Sequence, residues 1–401
     1  MPALDGMRVL DMTQYEAGTS CTQWLAWLGA DVVKIESPSG DPGRGTFANG
    51  PVDSQYFLNY NSNKRSLVLD LSRPEGRDLM LRLVPRFNVF VENFGPGVIE
   101  KLDIGYDVMR PLNPKLIYAR VKGFGLTGPY AEYRVFDPLA QAAAGTISVT
   151  GEPDGPPVQP GPTFSDSGTG MQTALAITAA YAQLLSTGEG QQIEVSMQEA
   201  TLSFMKSRAV TQWNSGQPMR RRAAAGMAPS GMYPCAPCGP NDYVYLSIVT
   251  SRMWDTLCVA MGQPALATDP RFDSAQARAK NVAELRAEIT AWTSKRDKHE
   301  AMKVLAEAGV PASAVFDTVD IFADPHLNQR GFFTTVEHPT AGSIRLMASP
   351  LRMTGSETTI ARAPLLGEHS VAVLREELGL SDHELSDLKL RGVIAEGRRA
   401  D

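Results

Sequence analysis

Histidine is scarce in this chain of 401 residues: there are five, and none precedes His299. Chemistry built in the earlier part of the chain must therefore work without imidazole. Cysteine is equally thin. Four thiols make no disulfide framework, which points to a reducing compartment. The lone pair Cys235-Ala-Pro-Cys238 has no second pair to complete a four-ligand zinc site. It also sits in a linker rather than at a helix start after a strand, where redox CxxC motifs lie. No window approaches 18 consecutive apolar residues, so no membrane span is expected. The opening MPALDGMRVLDM lacks a basic stretch followed by an apolar run. These features predict a cytoplasmic protein. Positive charge is in deficit, 38 basic against 44 acidic residues, a net charge of −6 that leaves no nucleic-acid footprint.

What is present is ordinary globular composition, 43% hydrophobic and 20% charged, which excludes disorder. The length suggests two or three domains, or one large fold with an insertion. Arg8 to Met12 reads as a strand. A helix capped by Thr19 or Ser20 runs to Leu28 and ends at Gly29, and Asp31 to Glu36 is the next strand. The loop between them has one glycine and no GxGxxG, so the dinucleotide fingerprint is absent. Ser72 and Glu75 match a capping box with Pro74 in the first turn. Further strands are expected at NVFVEN, LIYARV and QIEVSM, with an alanine-rich helix from Thr169 to Leu185. Strands separated by helices predict an α/β fold with a mostly parallel, doubly covered sheet. A glycine- and proline-rich stretch follows residue 214, and a second, smaller domain follows it.

Three groups of residues could carry chemistry. Asp166 stands at the start of the alanine-rich helix, where unpaired N–H groups and the helix dipole favour a carboxylate. An N-cap aspartate is the plain alternative. Glu16 follows the first strand, at the end of the sheet where open α/β folds bind ligands; it also reads as a solvated loop residue. Lys64 and Arg65, the ENFGPG turn with Asn93 and Phe94, Lys101, and Arg134 could pair phosphates and stack on a base. Each alone is equally a surface charge.

The string GTSCTQWLAWLGADVVKIE (18–36) resembles the opening of family III CoA-transferases, most closely the formyl-CoA:oxalate branch. NSNKRS (61–66), VENFGPG (91–97), DSGTGM (166–171), TDPRF (268–272), DKHEA (297–301) and PLLGEH (364–369) resemble the same family, in order, over almost the whole chain. The resemblance implies a large Rossmann-like domain built from N- and C-terminal segments, a smaller α/β domain, and an interlocked homodimer. The expected limits are 1–200 for the first part of the large domain, 201–224 for a linker, 225–325 for the small domain and 326–401 for the returning segment. It implies CoA transfer between an acyl-CoA and a carboxylic acid, with coenzyme A entering as substrate, no metal, and no nucleic-acid or membrane partner.

By the same resemblance Asp166 is an ionised nucleophile that forms a mixed anhydride and then an aspartyl-CoA thioester. Asp137 is an acidic neighbour, and Asn93, Phe94, Lys101, Arg134, Lys64, Arg65 and Met197 belong to the CoA site. Glu16 occupies the place of a glutamine, Ser37 that of an arginine, and the stretch AAAGMAPSGM (223–232) differs from the family's glycine run. A carboxylate at Glu16 disfavours oxalate, a compact dianion, and a carboxyl with a raised pKa there would donate a hydrogen bond. The competing reading on this scaffold is a 2-methylacyl-CoA racemase, whose histidine position holds Phe136.

Overall fold

The structure is a computed structural model that describes all residues except 49–52, 210–213, 222–226, 358 and 398–401. Parts of the expected linker, and of the stretch 223–232, lie outside the described residues. The chain divides into two compact units. One comprises Met1–Ile147, Gln159–Pro218 and Gly331–Asp401; the other comprises Ser148–Val158 and Met219–Arg330. Among the described residues no helix is long and apolar enough to cross a membrane.

The first unit is built on β1 (Arg8–Met12), α1 (Ala17–Trp27), β2 (Asp31–Glu36), α2 (Gln55–Tyr60), β3 (Arg65–Val68), α3 (Pro74–Leu83) and β4 (Val89–Glu92). It continues through α4 (Val98–Lys101), α5 (Tyr106–Met109), β5 (Ile117–Lys122), α6 (Asp137–Ala143), α7 (Phe164–Thr187), β6 (Gln192–Ser196) and α8 (Met197–Ser203). The six strands form one parallel sheet in the order β3-β2-β1-β4-β5-β6. Strand order reverses at β1, which opens a crevice beyond the carboxyl ends of β1 and β4.

Strand alternation divides the apolar residues between two faces. Val9, Val32, Val89, Val91 and Ile117 pack against α1 and α7 through Leu25, Ala174 and Ile177. Leu10, Val33, Phe90 and Tyr118 pack against α3 through Leu79 and Met80. The same face takes Val373, Leu374, Leu385 and Leu388 from helices Ser370–Leu378 and Asp382–Leu390. The chain end thus completes the first core. Gly367 in PLLGEH has φ +70° and donates its N–H to Ser66 Oγ at 2.8 Å, which locks this returning segment to β3. The second unit pairs β7 (Gly231–Pro234), β8 (Tyr243–Leu246) and β9 (Ala312–Ala314) antiparallel, over a core around Trp254, Phe272, Leu285 and Trp292.

Local signals end helices better than they start them. Gly29 at φ +99° and Gly188 at φ +78° close α1 and α7, as left-handed C-terminal glycines do. The Ser72–Glu75 capping box does not form. Ser72 turns back to Asp70 Oδ1 at 2.6 Å, and α3 begins at Pro74. Helix α1 begins at Ala17, ahead of the expected caps, and Thr19 Oγ1 donates to the Glu16 carbonyl at 3.0 Å.

A buried ion network underlies the crevice. Lys64 Nζ donates to Asp11 Oδ2 at 2.9 Å, the Thr19 carbonyl at 3.0 Å and Asn61 Oδ1 at 3.0 Å, with neither charged side chain exposed. Lys34 Nζ pairs with Asp41 Oδ2 at 2.8 Å and donates to the Thr13 carbonyl at 2.8 Å. Burial opposes the charge on Asp11, but Lys64 and Lys34 overcome it and hold the carboxyl below its usual range. Burial pulls Lys64 down to about 8, against the attraction of Asp11. Lys64→Ala strands a buried carboxylate and should cost about 3–5 kcal/mol in urea unfolding at pH 7. The double variant Asp11→Asn/Lys64→Met should recover part of that loss; a cost below 1 kcal/mol for the single change would refute the pairing.

Candidate active site

Beyond the carboxyl ends of β1, β4 and β5 lies a cavity of about 340 Å³. Glu16, Asn93, Phe94, Arg134, Asp166 and Met197 all line it. Its floor is set by the loop after β1. Tyr15 there has φ +58°, a conformation that costs energy for a residue with a side chain. Asp41 Oδ1 accepts the Tyr15 N–H at 3.2 Å, and Asn93 brackets Gln14 with bonds of 2.8 and 2.9 Å to its N–H and carbonyl. Asn93 therefore braces the loop as well as lining the cavity.

Glu16 directly precedes α1 and is buried, so it is no solvated loop residue. Its Oε1 accepts from Thr163 Oγ1 and from Ser167 Oγ, each at 2.7 Å. Tyr60 closes the cluster, its hydroxyl 3.4 Å from Ser167 Oγ. The hydroxyls of Thr163 and Ser167 bracket Asp166 in sequence, so Glu16 is pinned to the first turn of α7.

Asp166 lies inside α7, because the helix starts at Phe164 rather than Thr169. Its own side chain does not cap that helix. Asp137 does so from α6: its Oδ1 accepts the N–H of Ser165 at 2.9 Å and of Asp166 at 3.1 Å. Gln141 holds the other Asp137 oxygen at 2.6 Å. The glycines after Asp166 serve packing. A Cβ on Gly168 would stand 2.6 Å from the Phe204 ring, and one on Gly170 would stand 2.5 Å from the Ala17 carbonyl of α1. The space beside Gly170 is filled from within the protein.

Asp166 was expected to stay ionised, and the surroundings oppose that. Burial, then the Glu16 and Asp137 carboxylates, push its carboxyl up to about 8. The sequence predicts that one carboxyl of the Glu16–Asp166 pair has a raised pKa, and the raised one is Asp166, on which like charges converge and with which no cation pairs among the described residues.

The remaining expected residues separate. Phe94 is set by its N–H to Glu92 Oε2 at 2.9 Å and its carbonyl to Lys122 Nζ at 2.7 Å. Arg134 lines the cavity, is exposed, and has no ion pair among the described residues. Met197 opens α8 and packs on Ala17 and Val121. Lys101 is exposed at the end of α4, outside the lining. Lys64 and Arg65 are not brought to the cavity. Lys64 is enclosed in the ion network, and Arg65 grips Asp31 at 3.0 and 2.7 Å at the amino end of β3. Lys122, Tyr60, Thr163 and Ser167 escaped the sequence reading. The one available signal was Tyr56 and Tyr60, four apart on a short helix and hence on one face.

Comparison with known proteins identifies the family to which this fold belongs. The sequence model of CoA-transferase family III matches residues 4–370. The formyl-CoA:oxalate CoA-transferase of Streptomyces avermitilis is 39% identical over 98% of this chain and 99% of its own. That of Rhodopseudomonas palustris is 36% identical, covering 99% of each. A solved CAIB/BAIF family protein from Brucella suis superposes with a TM-score of 0.84 at 32% identity, covering 94% of this chain and 99% of its own. The chain belongs to CoA-transferase family III. It is an enzyme of the CoA-transferase class.

Glu16→Gln keeps an oxygen for Thr163 and Ser167 but removes a charge beside Asp166. The Asp166 midpoint, followed by carbon-13 NMR of the aspartate carboxyls, should fall by about one unit or more. An unchanged midpoint would show that Glu16 does not set it.

Proposed function

We propose that this protein moves CoA from an acyl-CoA thioester to a carboxylic acid through a covalent intermediate on Asp166. The observation that carries this reading is the position of Asp166 in the cavity wall, in the first turn of α7. The ionised carboxylate attacks the thioester carbonyl, a mixed anhydride forms, and CoA thiolate leaves. The thiolate attacks the aspartyl carbonyl and releases the first acid, which leaves an aspartyl-CoA thioester. The acceptor carboxylate attacks that thioester and the thiolate departs again. It then returns to the acceptor's carbonyl, which frees Asp166. Each step exchanges one carboxylate for one thiolate, so the cycle needs no imidazole.

Glu16 in this scheme holds the first turn of α7 and sets the charge against which Asp166 ionises. Asp137 keeps two N–H donors engaged and so fixes the start of the helix. Arg134 is the cation suited to a CoA phosphate, with Phe94, Asn93 and Met197 along the thioester path; Lys101 lies farther out. The relatives' name puts formyl-CoA and oxalate first among substrates. Glu16 opposes oxalate, since a second negative charge a few ångströms away costs on the order of a few kcal/mol at an effective dielectric near 20.

Asp166→Ala should abolish transfer, and hydroxylamine should trap acyl groups on Asp166 of the parent only. Arg134→Ala should instead raise KM for the thioester more than it lowers kcat. In the parent, attack needs the ionised form. kcat/KM should therefore climb about tenfold per pH unit below the Asp166 midpoint near 8 and level off above it. Transfer by Asp166→Ala within tenfold of the parent would sink the mechanism.

We also read the large unit as Rossmann-like and the protein as an interlocked homodimer. The exposed Leu175 and Leu185 along α7 support the dimer, since they leave apolar side chains of this helix open on a single chain. Sedimentation should give one species of twice the 43.4 kDa chain mass over a wide dilution range; a folded monomer would contradict it.

A further inference from the structure

A second cavity, of about 790 Å³, opens on the other side of the Glu16 cluster. Trp24, Trp27, Tyr56, Phe164, Met171 and Phe204 are among the residues of its wall, together with the amides of Gln23, Gln55 and Asn59. The aromatic rings are set edge to face: Trp24 and Trp27 have centroids 5.3 Å apart at 83°, and Phe164 and Phe204 are 6.2 Å apart at 77°. Nothing in the mechanism above uses this space.

Two observations connect it to the chemistry. Ser167 and Tyr60 line it, and these two side chains also bound the Glu16 carboxylate. Phe164 and Ser167, neighbours of Asp166 in the first turn of α7, line this cavity, while Asp166 itself lines the first. Tyr56 reports the same proximity from the opposite wall: burial, then the Glu16 and Asp166 charges, push its phenol far above the usual range. The second cavity thus begins at the turn of α7 that carries Asp166.

Its chemistry decides what it accepts. Among the described residues no lysine, arginine or histidine lines it. A second carboxylate placed there would lose its hydration and find no cation in exchange. The volume falls in the range of pockets that enclose whole organic ligands, far more than a formyl group fills. Aromatic walls reward an apolar group through burial and ring contacts.

Resting on the CoA-transfer reading above, we infer that this cavity holds the organic group of the substrate acid. It selects an apolar, ring-bearing or branched monocarboxylate over oxalate. Tyr60 and Ser167 form the polar rim at its reacting end, and the two tryptophans form the apolar far wall.

The test sets 3-phenylpropanoate, 4-methylpentanoate, acetate and oxalate at equal concentration against formyl-CoA and the full-length enzyme, with new thioesters read by mass spectrometry. The two apolar acids should yield at least tenfold more thioester than oxalate. Met171→Trp, which fills the cavity, should lower the 3-phenylpropanoyl-to-acetyl product ratio at least fivefold. 3-Phenylpropanoate alone should change the tryptophan fluorescence of the parent, and Trp24→Phe/Trp27→Phe should remove that change. Oxalyl-CoA as the main product, with Asp166 still trapped by hydroxylamine, overturns this inference and leaves the transfer mechanism standing. So does an equal loss for all four acids in Met171→Trp, or the absence of any fluorescence change, as expected if a second copy of the chain covers the cavity. No thioester from any acid and no trapping at Asp166 overturns the mechanism and this inference together.

Discussion

The ion network beneath the β1–α1 loop is the constraint on which the site depends. Asp11 and Lys34 project from adjacent parallel strands into a region without water, and a charge there survives only if it is paired. Lys64 satisfies Asp11, and Asp41 satisfies Lys34. The second oxygen of Asp41 then takes the N–H groups of Tyr15 and Gly43. One set of buried charges thereby stabilises the left-handed Tyr15 and aims Glu16 at α7. Neutral packing of equal volume could fill the same space, but it would not supply the directional bonds that fix the loop.

The site follows from that fixed loop as a chain of borrowed partners. Glu16 lends its carboxylate to hydroxyls of α7, and Asp137 of α6 lends its carboxylate to the free N–H groups of the same helix. Asp166 is left buried with acids around it and no cation among the described residues, so its carboxyl resists ionisation. A nucleophile held this way is reactive once ionised, because little in its surroundings stabilises the charge it gives up on attack. The cost is that part of the population carries a proton at neutral pH.

In the mechanism and pocket assignment proposed above, the two cavities divide the substrate by its chemistry. On one side Arg134, Phe94 and Met197 suit a long, anionic, partly aromatic group. On the other, aromatic walls with no cation among the described lining residues suit an apolar one. In that mechanism the bond between the two halves is broken and remade at Asp166.

Much of the fold was legible in the chain. Apolar runs of four to six residues gave the strands, glycines at left-handed positions closed the helices, and strand–helix alternation gave the layered sheet, because these depend on neighbours in sequence. The long helix after Asp166 was legible for the same reason, though it starts at Phe164 rather than Thr169. The segment 148–158, which joins the second unit, is rich in glycine and proline, a composition that marks a loop but not the core it packs with. The network was half visible: charges at Asp11, Lys34 and Glu36 interrupt buried strands, yet their partners are distant in sequence. Lys64 and Arg65 were misplaced because a motif names residues, and only the packed chain decides which way they face. Asp137 caps a helix 28 residues further on. The proton on Asp166 belongs to three carboxylates that converge only when α1, α6 and α7 pack together. Sequence settles what each backbone segment does alone; interaction energy between buried polar groups falls steeply with distance, so tertiary structure alone settles which of them meet.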